Sequence, residues 1–421
     1  MNLKKNYIVS IYFIFYLSLL FGFYLNEDTS LGYLIDHFIH LEIINRFDKG
    51  FFETLLNFDN QEQNFTTAHS PIFYISYFFL NKIFFSNEDM LRLFNLHISL
   101  LIPFIFYKIL KLKYKTKNNL IILLPGLFFL SPYFRSGSIW IGSENISMIF
   151  LFISFYYYFS FKINGRKNFN LIILNIIFLC LGSYFRPIYS IFSIYFFLAL
   201  YKDLIKINKI VEYILINSIL TLPAFYYIFI LEVNFIAIHL DEPINFSRFI
   251  NQFSIIISIL FYYSIPYLLF NYNLIKDIIY NKKNFLIFFI YIITLFLFFN
   301  YSLDYGGGIF FRISSKFFES NYIFYFFSAV GLIVFKTIFI DRYGIKKNYD
   351  DLILLIVLFF LEIDTTIFHE TYDLLFYLIF LVIIKNDFYS NFIKSLNINK
   401  ISFLYSFSSF FYLISYFKSY F

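Results

Sequence analysis

Long apolar runs recur from one end of this chain to the other, and they restrict its fold more than any other feature. A helix needs about 20 consecutive apolar residues to cross the hydrocarbon core of a bilayer. Hydrophobic residues make up 60% of the 421 residues, including 68 Phe and 39 Tyr, which is more than a water-soluble core can bury. The sequence therefore predicts an all-α fold, a polytopic bundle of transmembrane helices.

Thirteen of the runs are candidate membrane spans, and a further run at 71–85 is ambiguous. The first span follows Lys4 and Lys5 and has no small-residue cleavage site after it, so we interpret it as an anchor. The thirteen spans are expected at about residues 7–25, 92–110, 119–134, 139–161, 169–185, 187–201, 210–231, 251–272, 284–302, 319–340, 351–363, 372–386 and 401–417.

Basic residues predict the orientation of the spans, because cytoplasmic loops carry an excess of Lys and Arg. We place 71–85 on the outer face as a juxtamembrane helix or re-entrant segment. The inner loops then hold 23 of the 33 Lys and Arg residues and 7 of the 27 Asp and Glu residues. If 71–85 crossed the membrane, the basic cluster at 108–117 would lie outside. We therefore expect a cytoplasmic N-terminus. Anchoring of the inner loops to membrane lipids explains the net charge of +6, and no nucleic-acid partner is needed to explain it.

Polar residues concentrate in the predicted outer loops, which suggests that any chemistry takes place on the outer face. The single Cys180 lies in an apolar run and excludes a disulfide framework or a cysteine zinc site. The predicted outer loops include 26–91, 231–250, 303–318 and 362–373.

The first outer loop begins FGFYLNEDTSLGYLIDHF, so Glu27 and Asp28 directly follow the first span. Apolar residues then recur at helical spacing, which predicts an amphipathic helix on the membrane surface, capped by Asp28, Thr29 or Ser30. In the simpler interpretation, the two acids only cap and solvate this helix. In the functional interpretation, the short connection to the first span holds Glu27 and Asp28 beside the lipid surface, where a lipid-linked substrate presents its reactive carbon.

Two further features of this loop have a simple interpretation beside a functional one. A divalent metal site in this loop is one functional interpretation, but pairs of possible ligands three or four residues apart support it only weakly. Nothing in the sequence requires a cofactor. The candidate metal ligands are Asp36, His37, His40 and His69. Arg92 stands just inside the second span, where we expect it to snorkel to the lipid headgroups.

Several segments follow one another in a set order along the first part of the chain. After the carboxylate pair and the amphipathic helix come HSPIFY at 69–74 and LRL at 91–93. Glu144 then opens the fourth span, and Arg186 lies in the turn GSYFRPIYS. This ordered set resembles the C-type glycosyltransferase superfamily (GT-C), which includes protein O-mannosyltransferases and the aminoarabinose transferases of lipid A.

The resemblance covers about residues 1–200 and is mostly topological beyond them. The order of the pair Glu27–Asp28 is inverted relative to the family, and Ser70 stands where the family segment has its first proline. These departures leave open which of the two carboxylates acts as the base.

The resemblance implies that a sugar moves from a polyprenyl-phosphate donor to an acceptor lipid, glycan or protein on the outer face. Glu27 or Asp28 would deprotonate the acceptor, and Glu144 would be a third acid beside the oxocarbenium-like sugar. The implied catalytic half is 1–210, and 211–421 would hold the donor lipid. The expected substrate-binding and phosphate-binding residues are His69, Arg186, Arg312, Lys316, His369, Glu370 and Tyr372.

Two late outer segments supply the last of these residues. In YGGGIFFRISSKFF, Arg312 and Lys316 lie one helical turn apart and are suited to grip a phosphate, or else form a snorkelling pair on a flexible loop. In FHETYDLLFYLIF, four polar residues crowd the start of the twelfth span: His369, Glu370, Tyr372 and Asp373.

Two other classes of membrane protein remain as alternatives. One is a flippase or transporter of lipid-linked oligosaccharides, and the other is a polymerase or ligase of surface polysaccharide. Charges near the ends of the spans favour the transferase over a transporter, which places charges midway through its spans. For all three classes, we expect an integral protein of a bacterial inner membrane.

Overall fold

The structure is a computed structural model, and within the residues it describes every regular element is helical. The described residues are 5–30, 32–56, 69–115, 118–229, 245–302, 306–341, 349–361 and 366–418. The chain divides into two compact units, Met1–Ile238 with Asn397–Phe421, and His239–Leu396. Parts of the predicted outer loops lie outside the described residues, at 31, 57–68, 231–244, 303–305 and 362–365.

The first unit contains the helices up to residue 229. They are α1 (Lys5–Tyr24), α2 (Tyr33–Lys49), α3 (Phe51–Leu56), α4 (Pro71–Ile83), α5 (Glu88–Ser99), α6 (Leu101–Tyr114), a 3-10 helix (Asn119–Leu130), α7 (Pro132–Ile139), α8 (Ser143–Ile163), α9 (Phe169–Phe185), a second 3-10 helix (Pro187–Ile191), α10 (Phe192–Lys206) and α11 (Ile210–Phe229).

The second unit follows, and the last helix of the chain returns to the first unit. The helices of the second unit are α12 (Phe246–Leu268), α13 (Tyr272–Tyr280), α14 (Lys282–Phe298), α15 (Gly308–Phe318), α16 (Tyr322–Lys336), α17 (Tyr349–Phe359), α18 (His369–Leu378) and α19 (Asp387–Lys394), with π-helical turns at Thr337–Asp341 and Ile379–Ile383. The returning helix is α20 (Ile398–Lys418).

Among the described residues, six helices are long and apolar enough to cross a membrane, or up to eight if each of two bent helix pairs is one span. They indicate an integral membrane protein. The six are Asn6–Tyr24, Glu88–Tyr114, Ser143–Ile163, Pro187–Lys206, Phe246–Leu268 and Tyr322–Asp341. Other predicted spans fall on shorter helices, such as α17 and α18, so the prediction of thirteen exceeds this range. The ambiguous run at 71–85 forms α4, which at 13 residues is shorter than a span needs.

In the first unit, α8 and α9 form a tightly packed helical hairpin. A Cβ at Gly182 of α9 would lie 3.2 Å from the Ser147 carbonyl oxygen of α8, so glycine permits this close approach. Asn175 Nδ2 donates to the Ser154 carbonyl across the same interface over 3.0 Å. Because the two helices run in opposite directions, the start of α8 and the end of α9 lie at the same end of the hairpin.

Helix α4 packs along α2. Ser70 Oγ accepts from the Ile72 amide and Pro71 occupies the first helical position, as the sequence predicts for a helix start. Phe73 and Tyr74 of α4 are inaccessible and belong to one apolar core with Ile44 of α2. This core holds α2 in place beside the start of α8.

In the second unit, α12 and α16 approach closely at Gly331. A Cβ at this position would lie 2.9 Å from the Phe261 Cβ of α12. The loop before α15 has Gly307 at φ +85° and Gly308 at φ +78°, values that strongly favour glycine. A Cβ on Gly308 would press against Ile259, so the small residue lets this loop lie on α12.

Candidate functional site

Glu27 lies just beyond α1 and is held on both carboxylate oxygens by Arg135 of α7. Arg135 Nε donates to Oε1 over 2.6 Å, and Nη2 donates to Oε2 over 2.5 Å. Tyr412 of α20 donates to Oε1 over 3.3 Å, and Trp140 Nε1 donates to the Glu27 carbonyl over 2.9 Å. The Glu27 and Arg135 side chains are only 6% and 3% exposed. These contacts make the Glu27–Arg135 pair a clamp that fastens α1 to α7 and α20.

Asp28 turns away from this clamp and closes the start of α2. Its Oδ1 accepts from Ser30 Oγ over 2.8 Å, and its Oδ2 accepts from the Leu34 amide over 3.1 Å. A carboxylate in this position satisfies an amide of the first helical turn and interacts favourably with the positive end of the helix. Asp28 therefore fixes the direction in which α2 leaves the first span.

Glu144 and Arg186 meet at the shared end of the α8–α9 hairpin. Arg186 Nη1 lies 3.2 Å from Glu144 Oε1, and the two side chains are 12% and 14% exposed. Ser143 Oγ also donates to Oε1 over 3.4 Å. Gly142 caps α8, and a Cβ there would lie 2.6 Å from Glu144 Oε2, so the glycine leaves room for the carboxylate. The sequence named both charged residues, and the structure brings them together.

His69 joins the same place through Ser143, whose Oγ lies 3.1 Å from His69 Nδ1. The His69 ring stands 4.9 Å, between centroids, from the ring of His40 in α2. His40 Nδ1 lies 3.1 Å from the Tyr74 hydroxyl. Burial, together with a smaller contribution from the charge of His69, lowers the pKa of His40 to about 3, so His40 is neutral at ordinary pH.

Asp36, which the sequence offers only as a metal ligand, is a further residue of the candidate site. It lies in the first turn of α2, and its side chain is exposed. Partial desolvation by the surrounding protein, with the charges of Glu144 and Asp28, raises its pKa to about 6, while Arg186 acts in the opposite direction. Asp36 is therefore within electrostatic range of the Glu144–Arg186 pair. The sequence signal for Asp36 was its position as an acidic residue near the start of an amphipathic helix that follows an acidic pair.

The predicted metal ligands form only a partial group, in which His40 and His69 are neighbours and His37 has other partners. His37 is buried, with its Nε2 2.9 Å from Glu88 Oε1 and its Nδ1 accepting from the Ile141 amide over 3.3 Å. Burial lowers the pKa of His37, against the opposing effect of Glu88. In the described part of the chain, no group of three or more His, Cys, Asp or Glu side chains is placed to hold a metal ion.

In the second unit, His369 lies in a buried hydrogen-bonded chain. Its Nε2 is 2.9 Å from the Tyr263 hydroxyl, which donates to Asp373 Oδ1. His369 is 3% exposed and Asp373 is inaccessible. The sequence places Asp373 beside His369 at the start of the twelfth predicted span but gives no sign of Tyr263, because the proximity of Tyr263 depends on how α12 packs against α18.

The remaining predicted residues of the second unit have separate settings. Arg312 Nε donates to the Gly306 carbonyl over 3.2 Å, which ties α15 to the glycine loop, while Lys316 is exposed. Tyr372 is buried and donates to the Leu358 carbonyl over 3.3 Å, as a packing residue would. Glu370 is half-buried in the first turn of α18.

No family model, curated protein or solved structure matches the chain. The resemblance to the GT-C superfamily therefore stays a prediction, and the geometry of the two units carries the functional argument.

Proposed function

We propose that this protein is a membrane glycosyltransferase of GT-C type, which moves a sugar from a polyprenyl-phosphate donor to an acceptor hydroxyl or amine on the outer face. One observation carries the proposal. Asp36 interacts electrostatically with the Glu144–Arg186 pair at the open end of the α8–α9 hairpin, where Tyr33 at the start of α2 packs against Gly142. Carboxylates beside a guanidinium at the ends of apolar helices suit a reaction between a lipid-linked phosphate ester and a polar acceptor.

The charges fit the needs of this reaction. A carboxylate can take the proton of the acceptor, a role that contributes about 10²- to 10⁴-fold in rate. The leaving group is a phosphate, which needs a cation rather than a proton, and Arg186 supplies one. Glu144 orients Arg186 and lies where negative charge favours an oxocarbenium-like sugar. His69, held through Ser143, is placed to contact a sugar hydroxyl.

Glu27 takes a different role in this proposal from the one that the resemblance implies. Its oxygens are bound by Arg135, so it positions the first loop instead of contacting the acceptor. No resident cofactor is needed, because the donor carries its own activated bond. Roles in donor binding for the second-unit residues stay predictions; these are Arg312, Lys316, His369, Glu370 and Tyr372.

The proposal includes a membrane topology of about thirteen spans in a bacterial inner membrane, with a cytoplasmic N-terminus and α2 to α4 on the outer face. The charge asymmetry of the loops supports it. Exposed apolar side chains on α2 and α4 give further support, because an interfacial helix buries such a face in the headgroup region. They include Ile35, Phe38, Phe79 and Ile83.

The experiment uses the full chain in proteoliposomes. The donors are radiolabelled polyprenyl-phosphate mannose, glucose, galactose and aminoarabinose, supplied with a mixed envelope-lipid extract and a serine- and threonine-containing peptide as acceptors. Released polyprenyl phosphate measures donor cleavage whichever acceptor is used. We expect cleavage of at least one donor and its loss in Glu144→Gln and Arg186→Gln. Failure of the wild-type protein to cleave any of the four contradicts the proposal.

One observation favours transport of a lipid-linked oligosaccharide as a second candidate function. Tyr263 lies within α12, a candidate span, and joins the buried His369 and Asp373. Ionisable residues inside a membrane are costly and often mark a transport pathway. A fluorescent lipid-linked oligosaccharide, added to the same proteoliposomes and quenched from outside, tests this alternative. Transport that Asp373→Asn abolishes, without donor cleavage, would favour it over the transferase.

A further inference from the structure

Four carboxylates of the candidate site, at Glu27, Asp28, Asp36 and Glu144, differ in how far their oxygens are already bound. Both oxygens of Glu27 are bound in the clamp, and both oxygens of Asp28 accept hydrogen bonds at the start of α2. Glu144 is paired with Arg186. Asp36, by contrast, makes no side-chain hydrogen bond or ion pair within the part of the chain that the structure describes. It is the carboxylate whose oxygens an incoming group can reach.

We infer that Asp36 is the catalytic base of the sugar transfer, an inference that rests on the proposed function. An Asp36 oxygen removes the proton of the acceptor hydroxyl or amine. The acceptor oxygen or nitrogen forms a bond to the anomeric carbon as the bond from that carbon to the phosphate oxygen breaks. The bonding electron pair leaves with the polyprenyl phosphate, whose charge Arg186 stabilises. The proton then passes from Asp36 to water through the exposed side of its carboxyl group.

The backbone around Asp36 is rigid enough for this role. Its amide donates to the Gly32 carbonyl over 3.0 Å, within the first turn of α2. Asp28 fixes this turn through the Leu34 amide, and four residues after Asp36 the same helix is anchored by His40 to Tyr74. Asp28 is therefore a positioning residue for Asp36. A base on a fixed helix reaches its effective geometry without reordering a loop.

The electrostatic setting also suits a base. A general base is most effective when its pKa lies near the working pH, and the pKa of Asp36 is raised to about 6, first by desolvation and then by neighbouring carboxylates. The charged groups that act on Asp36 from neighbouring segments are Asp28, Glu144 and Arg186. Other titratable groups near α2 come from α3, α4 and α5; they are Glu53, Tyr74, Lys82 and Glu88. Three of them have partners on α2: Tyr74 contacts His40, Lys82 pairs with Asp48, and Glu88 contacts His37.

The assignment differs from the one that the resemblance implies. The family-like position directly after the first span is held by Glu27, whose carboxylate serves the clamp with Arg135. The base is thereby placed at the first turn of α2, where the side chain is exposed.

The test compares Asp36→Asn with wild type in the donor-cleavage assay, with Asp36→Glu as the conservative variant. Glu42→Gln is the matched control, because Glu42 is an exposed acid on the same helix that pairs with Arg46. We expect Asp36→Asn to lower the cleavage rate by about 10²- to 10⁴-fold. Asp36→Glu should recover part of the rate, and Glu42→Gln should match wild type.

The pH profile separates a base from a merely structural residue. The wild-type rate should rise with pH and level off above about 6, since the base must be deprotonated. In Asp36→Asn this rise should vanish. If the variant keeps the wild-type rate and the rise, the inference about Asp36 is wrong while the proposed function stands. If wild type cleaves none of the four donors, the proposed function fails, and the inference fails with it.

Discussion

Glu27 and Arg135 lie 108 residues apart in the sequence and form a two-point ion pair that is almost inaccessible to solvent. Removing two charges from water costs several kcal/mol each, and only close, complementary hydrogen bonds offset this cost. Once the pair is formed, loss of one partner leaves the other as an uncompensated buried charge. The pair therefore makes the stability of the first unit depend on a residue that looks catalytic from the sequence.

Glu27→Gln should destabilise the protein, because the amide keeps the shape of Glu27 but leaves Arg135 without its counter-charge. We expect a loss of about 3–5 kcal/mol, seen as a lower midpoint of thermal unfolding in detergent. The double variant Glu27→Gln with Arg135→Gln should recover part of this loss, since neither charge is then buried alone.

Asp48→Asn is the matched control for Glu27→Gln. It removes the ion pair between Asp48 and Lys82, whose side chains are 33% and 53% exposed. Such pairs contribute about 1 kcal/mol or less. An unfolding midpoint for Glu27→Gln that matches the one for Asp48→Asn would rule out the clamp.

Gly142→Ala should disturb the Glu144–Arg186 pair. The added Cβ would lie 2.6 Å from Glu144 Oε2 and 3.2 Å from the Tyr33 ring, so the carboxylate must move. We expect the donor-cleavage rate to fall at least tenfold with little change in protein yield. Gly32→Ala is the control, because a Cβ at Gly32 meets nothing within 4 Å. Equal activity in the two variants would show that the placement of Glu144 is unimportant.

Asp36→Asn should stabilise the folded protein at neutral pH even as it reduces activity. The pKa of Asp36 is raised from its ordinary value of 3.8 to about 6 in the folded state. Between these two pH values, Asp36 is therefore protonated more often in the folded protein than in the unfolded chain. The contribution to stability is therefore complete below 3.8 and is lost as the pH rises through 6. Asn does not titrate, so the unfolding midpoint of the variant should rise relative to wild type between pH 4 and pH 7. A difference that shrinks over this interval would contradict the raised pKa.

The sequence predicts most of the fold of the first unit but not where its helices break. The apolar run at 119–134 is predicted to be one straight span. The chain instead forms a 3-10 helix up to Leu130, followed by α7, with a bend of 67° between them. Pro125 and Pro132 account for part of this difference, since neither donates a backbone hydrogen bond. The length and hydrophobicity of an apolar run predict a buried helix, but they do not predict where that helix changes direction.

The site was predictable where it depends on local pattern and not where it depends on packing. Glu144 and Arg186 stand out at the ends of apolar runs, and a short connection between α8 and α9 brings them together. Arg135 gives no such signal, because its partner is distant in sequence. Arg92 was expected to snorkel to the headgroups; it is instead 5% exposed and stacks on Trp140 at 3.9 Å, a correction that only packing reveals.

His40→Gln should make stability less sensitive to acid. The pKa of His40 is lowered from 6.5 to about 3, so the contribution to stability is complete above 6.5 and is lost as the pH falls toward 3. At pH 5 this loss amounts to about 2 kcal/mol, since each pH unit corresponds to 1.36 kcal/mol. The change in unfolding free energy between pH 7 and pH 5 should therefore be smaller in His40→Gln.

The side of the membrane on which Ser86 lies decides whether α4 crosses the bilayer. Ser86 is exposed in the turn between α4 and α5. If α4 stays on the outer face, Ser86 lies outside, and if the run at 71–85 crosses, Ser86 lies in the cytoplasm. Ser86→Cys in a Cys180→Ser background leaves one cysteine, because Cys180 is the only natural one.

We expect a membrane-impermeant maleimide to label Ser86→Cys in intact cells. Lys202→Cys in the same background is the control for the cytoplasmic side, because Lys202 is exposed at the end of α10 and lies in a predicted inner loop. It should be labelled only after the membrane is opened. Labelling of Ser86→Cys only in opened membranes would place α4 across the bilayer. It would also invert every later loop, and the charge asymmetry that sets the orientation would then have the wrong sign.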